Sequence, residues 1–103
     1  MKIKEHIDGL DIVLSIEGNF DDNTSLEIEK KVESVLSGGI KILRLDLGSV
    51  QYISSAGIRV LIVAHKKAVK FGKKVIIGEM SAKVRDILDT VGILPLFSNG
   101  GGQ

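Results

Sequence analysis

The chain of 103 residues is 44% hydrophobic and 26% charged, values that suit one globular domain and exclude a disordered chain. It has no cysteine, which excludes a disulfide scaffold and a thiolate metal site, and no apolar run is long enough to span a membrane. The formal net charge is +1 and aromatic residues are scarce, so we expect a cytoplasmic protein that has neither nucleic acid nor a membrane as a partner.

The charge is unevenly distributed along the chain. Residues 1–52 hold six Lys or Arg and ten Asp or Glu, whereas residues 53–103 hold eight and three, so the two halves carry −4 and +5. Five lysines lie between Lys66 and Lys74. We interpret them as the solvated end of a helix, where cations complement the helix dipole.

The N-terminal residues predict a β-hairpin. Apolar and polar residues alternate from Ile3 to Ile7, Asp8–Gly9 is a turn signal, and a second apolar run extends from Leu10 to Glu17. We expect residues 18–23 to form a loop.

The first helix is predicted to begin after Thr24 and to end near Ser37. Thr24 and Glu27 have the spacing of a capping box, and Gly38–Gly39 offers the left-handed conformation that ends many helices. The predicted apolar stripe consists of Leu26, Ile28, Val32, Val35 and Leu36.

The middle of the chain predicts a strand followed by a helix. Residues 40–47 are rich in leucine and isoleucine, which is typical of a buried strand. We expect residues 50–54 to be a short connection, and a second helix to run from about Ser55 to Lys70.

The C-terminal part predicts one more strand and helix. Residues 74–78 read as a buried strand, and Ser81 is a good N-cap for a helix that Gly92 ends. We expect residues 94–97 to form a last edge strand, and residues 98–103 to form a flexible, glycine-rich tail.

The order β-β-α-β-α-β-α-β predicts an α/β fold. Residues 1–97 would form a single small domain with a mixed, mostly parallel sheet of four or five strands and crossover helices. Functional groups in such sheets gather beyond the carboxyl ends of the strands. We therefore expect that edge to collect Asp21–Asn23, Asp46 with the loop 48–55, and Glu79–Ser81.

Ser54 and Ser55 are the most informative pair of residues. They are predicted to lie in the first turn of the second helix, where unpaired N–H groups and the helix dipole favour an anion. One of them is expected to cap the helix, while the small Ala56 and Gly57 leave the hydroxyl groups accessible to another protein's active site. A phosphate there would add about −1.5 to −2 charges without unfolding the domain.

The spacing along the second helix predicts which side chains face the core. At about 100° per residue, one face collects Ile58, Leu61, Ile62, His65, Ala68 and Val69. We expect His65 to be a packing residue rather than a ligand, and Val60, Val63 and Ala64 to fall outside this face. Arg59, Val60 and Val63 would then form a protein-docking surface beside the serines, together with Asp21–Asn23.

The segment from Leu45 to Ile62 carries a resemblance to a known family. Its Leu-Asp-Leu strand and the motif Val50-x-Tyr52-Ile53-Ser54-Ser55-Ala56-Gly57-Ile58-Arg59-Val60-Leu61 resemble the STAS domain of bacterial anti-sigma factor antagonists. The loop Gly18-x-Phe20-Asp21 and the ending Val84-Arg85…Leu96-Phe97 are similar to the same family, so the resemblance covers nearly the whole chain.

The resemblance implies a mechanism called partner switching. In this family the unmodified antagonist binds an anti-sigma factor that is itself a serine kinase, which releases the sigma factor. The kinase uses ATP and magnesium to phosphorylate a serine at the start of the second helix, which ends the binding, and a metal-dependent serine phosphatase restores it. That serine matches Ser55, with Ser54 as the secondary candidate.

The resemblance implies no enzyme activity, cofactor or metal site of the chain's own. The interaction with the kinase would use the residues around the helix start and the acidic loop. These partner-binding candidates are Asp21, Asp22, Asn23, Ser54, Ala56, Gly57, Arg59, Val60 and Val63.

Three alternatives stay open. An aspartyl-phosphate receiver would place Asp21, Asp22 and Asp46 around a magnesium ion, but Gly78–Glu79 stands where its Thr, Ser or Lys partners belong. A module for a nucleotide, lipid or other small ligand would use the first-turn amides near Ser55, although no glycine-rich phosphate loop supports it. A passive assembly domain would be a homo-oligomer without a phosphate, and the antagonist itself could form a weak homodimer.

Overall fold

A computed structural model describes residues 2–97, so the predicted flexible tail at 98–103 lies outside the described residues. The elements in chain order are β1 (Lys2–Asp8), β2 (Asp11–Phe20), α1 (Ser25–Leu36), β3 (Ile42–Ile53), α2 (Ser55–Lys70), β4 (Lys74–Met80), α3 (Ala82–Val91) and a 3-10 helix (Leu94–Phe97). None of these helices is both long enough and apolar enough to cross a lipid bilayer.

The strands of residues 2–97 form one mixed sheet in the order β1-β2-β3-β4. β1 and β2 pair antiparallel across the tight turn at Gly9, whereas β2 with β3 and β3 with β4 pair parallel. Helices α1 and α2 supply the crossover connections that parallel pairing requires. The predicted α/β fold with a mixed, mostly parallel sheet is confirmed, with four strands in the described part of the chain.

The helices cover a core formed by one face of the sheet. Alternate side chains of the two central strands enter it and are at most 2% exposed, among them Ile12, Leu14, Leu43 and Leu45. Val13 and Arg44, which lie between them, are half-buried. The apolar runs of β2 and β3 therefore follow the two-residue period of a strand with one buried face.

β2 and β3 are longer than the sequence predicts. Residues 18–20, predicted as a loop, continue β2, and residues 50–53, predicted as a connection, continue β3, so that Phe20 pairs with Ile53. The register of this pair shifts twice, between Ser15 and Glu17 and again before Phe20. These irregularities accommodate the glycine and polar residues that made both segments resemble turns.

The start of α1 differs from the predicted capping box. Thr24 occupies the N-cap position, but its side chain makes no capping hydrogen bond to the helix. Its hydroxyl accepts from the Asp21 N–H at 3.0 Å and donates to the Asn19 carbonyl at 2.8 Å, so it serves the preceding loop instead. Leu26, predicted to belong to the apolar stripe, is 61% exposed, whereas the other four predicted residues are buried.

The end of α1 is held by a lysine rather than by glycine. The C-cap is Ser37 in a right-handed conformation, and Gly38–Gly39 has no left-handed φ angle, so that prediction is wrong. The Lys73 ammonium group instead donates to the carbonyl oxygens of Leu36 and Gly38. A cation at this position satisfies carbonyl groups that the helix leaves unpaired.

The C-terminal elements agree with the sequence except for the last one. Ser81 caps α3 by accepting from the Val84 N–H at 3.3 Å, and Gly92 ends the helix with a φ of 85°. Residues 94–97 form a 3-10 helix and not the predicted edge strand. Pro95, with its fixed φ and missing N–H, suits the first turn of a helix better than a strand ladder.

The buried face of helix α2 is rotated from the predicted one, with which it shares Leu61 and Ala68. Val69, predicted inside, is 63% exposed, and Val60, predicted outside, is only 3% exposed. His65 is half-buried and packs edge-to-face on Phe97, as expected of a packing residue. The buried face consists of Gly57, Val60, Leu61, Ala64 and Ala68. Glycine and alanine are only weakly hydrophobic, so a hydrophobic pattern does not identify them as buried.

Two valines of α2 provide a direct test of this orientation. We expect Val60→Ala to lower the free energy of unfolding by about 2 kcal/mol, because two buried methyl groups are lost and a cavity remains. The exposed counterpart, Val69→Ala, should change it by less than ~0.5 kcal/mol. Urea unfolding followed by circular dichroism measures both, and equal effects would contradict the orientation.

Candidate functional site

Ser54 and Ser55 both lie where α2 begins, but their surroundings differ. Ser54 is the N-cap: its Oγ accepts from the Gly57 N–H at 3.3 Å and its hydroxyl donates to Asp22 Oδ1 at 3.2 Å. Ser55 is the first residue of the helix and is exposed. Within residues 2–97 the Ser55 hydroxyl has no hydrogen-bond partner, so it is the one presented to solvent.

The acidic loop Asp21–Asn23 meets the serines, as the sequence predicts. The Ser54 N–H donates to the Phe20 carbonyl at 2.9 Å, so the loop begins directly beside α2. Asp21 closes a tight turn by accepting from the Asn23 N–H at 3.0 Å, and Asp22 reaches across to Ser54. We call Asp21–Asn23 with Ser54 and Ser55 the serine site.

Asp46 does not join the serine site. It lies within β3, where its carboxylate accepts from the Ser15 hydroxyl at 3.3 Å and from the Gly48 N–H at 3.0 Å. Because β3 continues to Ile53, Asp46 lies roughly 20 Å before the end of the strand. The prediction that Asp46 gathers at this edge is wrong, and the acidic cluster of a receiver does not form. Across residues 2–97, no three His, Asp or Glu side chains could together hold a metal ion.

Gly57 permits a close approach, but inside the molecule rather than to a partner. A Cβ at this position would lie 2.7 Å from the Phe20 carbonyl oxygen, 2.7 Å from Ile53 Cγ1 and 2.9 Å from Phe20 Cδ1. Side chains do not tolerate such distances, so a glycine is required for α2 to pack on the end of β2. The residue therefore positions both serines against the acidic loop.

The remaining predicted docking residues differ in accessibility. Arg59 is exposed, and Ala56 and Val63 are half-buried, so these three contribute accessible surface, with Val63 about 12 Å further along α2 than Ser55. Val60 lies in the core and offers none. The part of Thr24 in holding the loop was not predicted from the sequence. The available signal was its position three residues after Asp21, a spacing at which a hydroxyl bonds to the backbone of a turn.

The charge at the serine site is negative. Neither Asp21 nor Asp22 forms a salt bridge with a residue in the range 2–97. The cluster Lys66–Lys74 lies toward the opposite end of α2, whose 16 residues span about 24 Å. A phosphate on Ser55 would be favoured by the first-turn amides and would make an acidic surface more acidic.

Two cavities lie away from the serine site. One of about 370 Å³ is lined by His65 and Val69 of α2 and by Leu96, and another of about 580 Å³ lies between α1 and α2 around Lys70. Neither is lined by a residue of the serine site. Asp22, Asn23 and Ser55 are exposed, so the serine site suits contact with another protein better than enclosure of a small ligand.

Comparisons with known proteins agree with this architecture. The STAS domain family model matches residues 1–100. A candidate anti-sigma factor antagonist of Bordetella bronchiseptica, BtrV, is 27% identical over 93 residues, which are 90% of this chain and 79% of BtrV.

Solved structures are similar in fold. The anti-sigma factor antagonist SpoIIAA in its unphosphorylated form has a TM-score of 0.82 at 14% identity, over 98% of this chain and 90% of its own. The phosphorylated form of Bacillus SpoIIAA gives 0.74 at 13% identity, over 98% and 93%. A candidate anti-sigma factor antagonist of Thermotoga maritima gives 0.82 at 18% identity, over 88% and 79%. At these identities, the likeness concerns the fold alone.

Proposed function

The chain belongs to the STAS domain family, and we propose that it is an anti-sigma factor antagonist that phosphorylation of Ser55 switches off. The family membership confirms the resemblance predicted from the serine-containing segment. The names of BtrV and SpoIIAA support the antagonist role. In its unmodified state the chain binds an anti-sigma factor serine kinase in the cytoplasm, without contacting nucleic acid or a membrane itself.

The proposed reaction makes this chain a substrate rather than an enzyme. The kinase transfers the terminal phosphoryl group of magnesium-bound ATP to Ser55 Oγ, and the hydroxyl proton and ADP leave. A metal-dependent phosphatase returns the serine by transferring the phosphoryl group to water. ATP and metal ions belong to these partner enzymes.

The difference between the two hydroxyl groups carries the choice of Ser55. Ser54 already uses its hydroxyl to donate to Asp22 and its oxygen to cap the Gly57 N–H. A phosphoryl group on Ser54 would remove that proton and disturb the cap, whereas Ser55 is exposed and uncommitted. The fold therefore tolerates a phosphate on Ser55 at least cost.

The docking surface surrounds this acceptor. It comprises the exposed Asp22 and Asn23, the partly exposed Asp21, Ala56 and Val63, and Arg59 in the next turn of α2. A phosphate on Ser55 adds about two negative charges to this surface, which already carries the carboxylates of Asp21 and Asp22. A partner surface that is complementary to the unmodified chain does not compensate these additional charges. Phosphorylation would therefore end the complex.

Phosphate mapping tests the acceptor directly. We expect serine kinases of the anti-sigma type from the same genome, with magnesium and ATP, to add a single phosphate to the chain and to add none to Ser55→Ala. The matched variant Ser54→Ala should still be phosphorylated, because it retains the exposed hydroxyl of Ser55. Intact-mass measurement and peptide sequencing read the result. Phosphorylation of Ser55→Ala at the unmodified chain's rate would refute the assignment.

A further inference from the structure

We propose that the Asp22–Ser54 hydrogen bond couples a phosphate on Ser55 to the conformation of the loop 19–24. This inference rests on the proposed function, because it concerns how modification of Ser55 changes the surface that the partner reads. It assigns Asp22 a regulatory role: its carboxylate holds the loop against α2 until the phosphate displaces it.

The loop is held mainly by bonds within itself. The Thr24 hydroxyl donates to the Asn19 carbonyl at 2.8 Å and accepts from the Asp21 N–H at 3.0 Å, and the Asn23 N–H donates to Asp21 Oδ1 at 3.0 Å. Within residues 2–97, one side-chain hydrogen bond joins this loop to the start of α2. It is the bond of 3.2 Å from the Ser54 hydroxyl to Asp22 Oδ1.

A phosphate on Ser55 would act on this bond in two ways. Its charge of about −1.5 to −2 would stand beside the Asp22 carboxylate and repel it. It would also offer phosphate oxygens as strong acceptors to the adjacent Ser54 hydroxyl, which can rotate away from Asp22. Both effects favour release of Asp22.

The helix itself would stay capped during this exchange. Ser54 accepts from the Gly57 N–H through its oxygen, and this bond does not depend on where the hydroxyl proton points. Release of Asp22 would therefore loosen Asp21–Asn23, three of the five residues of the serine site, while the core around Phe20 remains packed. The phosphate would remove the partner both by its charge and by changing the shape of the loop.

Amide hydrogen exchange tests the coupling without any kinase. Phosphoserine is incorporated at position 55 during translation, and NMR follows the Asp21 and Asn23 amides, which the loop bonds protect. We expect phosphoserine to accelerate their exchange about tenfold, the equivalent of losing one charged hydrogen bond. The buried strand amide of Leu45 should not respond.

The variant Asp22→Asn is the matched control. It keeps the size of the side chain and an oxygen that can accept from Ser54, but it removes the charge. In this background phosphoserine should accelerate loop exchange by clearly less than about tenfold, because the repulsion is absent and only the competition for the Ser54 hydroxyl remains. Equal acceleration in both backgrounds, or none with Asp22 present, would overturn the inference. Because the phosphoserine is encoded, either outcome is independent of whether a kinase modifies Ser55.

Discussion

Replacing Gly57 with alanine is expected to destabilise the domain by about 2 kcal/mol, although alanine favours a helix. The helix propensity of alanine contributes about 1 kcal/mol in favour of the variant. Against it, the new methyl group would lie 2.7 Å from the Phe20 carbonyl oxygen and 2.7 Å from Ile53 Cγ1. The first of these is backbone, so relief requires α2 to move from the end of β2, at a cost of about 3 kcal/mol.

Thermal unfolding measures this effect, with Gly39→Ala as the control. A Cβ at Gly39 meets no atom within 4 Å, and the residue lacks a left-handed φ, so that variant should unfold within about 0.5 kcal/mol of the original chain. For Gly57→Ala we expect the midpoint to fall by about 10 °C. An unchanged midpoint would show that α2 does not lie this close to Phe20.

A second large effect is expected at Ser55, on binding rather than on stability. Ser55→Asp should weaken binding to the anti-sigma factor kinase about 100-fold, because it adds a negative charge beside Asp22 on the surface that the partner covers. Its unfolding midpoint should stay within about 2 °C, since a carboxylate is favourable in the first turn of a helix. Calorimetric titration and thermal unfolding measure the two quantities.

Ser55→Asn is the matched control for that charge. Asparagine has the size of aspartate without its charge, so we expect this variant to bind within about threefold of the original chain. Equal loss of binding in both variants would attribute the effect to shape rather than to charge. Unfolding of Ser55→Asp would contradict the view that the helix start tolerates a phosphate.

These variants separate two roles that lie two residues apart on α2. Gly57 faces the core. Because it has no side chain, α2 can pack closely against Phe20, and this packing sets the position of the serines. Ser55 faces solvent, so its exposed hydroxyl can be modified with little effect on the core. The separation allows the surface to be modified while the fold stays intact.

Local patterns along the chain were sufficient to predict β1, both ends of α3 and the start of α2. The alternation of β1, the Ser81 cap and the Gly92 stop depend on neighbours within a few residues, and all three predictions agree with the structure. The position of Ser55 at the first residue of α2 could likewise be predicted, because the helix boundary has a local signal.

Contacts between distant parts of the chain could not be predicted in this way. The Asp22–Ser54 hydrogen bond joins residues 32 apart, and the Lys73 bond to Leu36 joins residues 37 apart. The buried face of α2 includes Gly57 because β2 and β3 extend far enough to place Phe20 against this residue. The periodicity of the α2 sequence contains no information about that contact. A sequence pattern reports the residues beside it along the chain, whereas burial and charge depend on what packs against it in space.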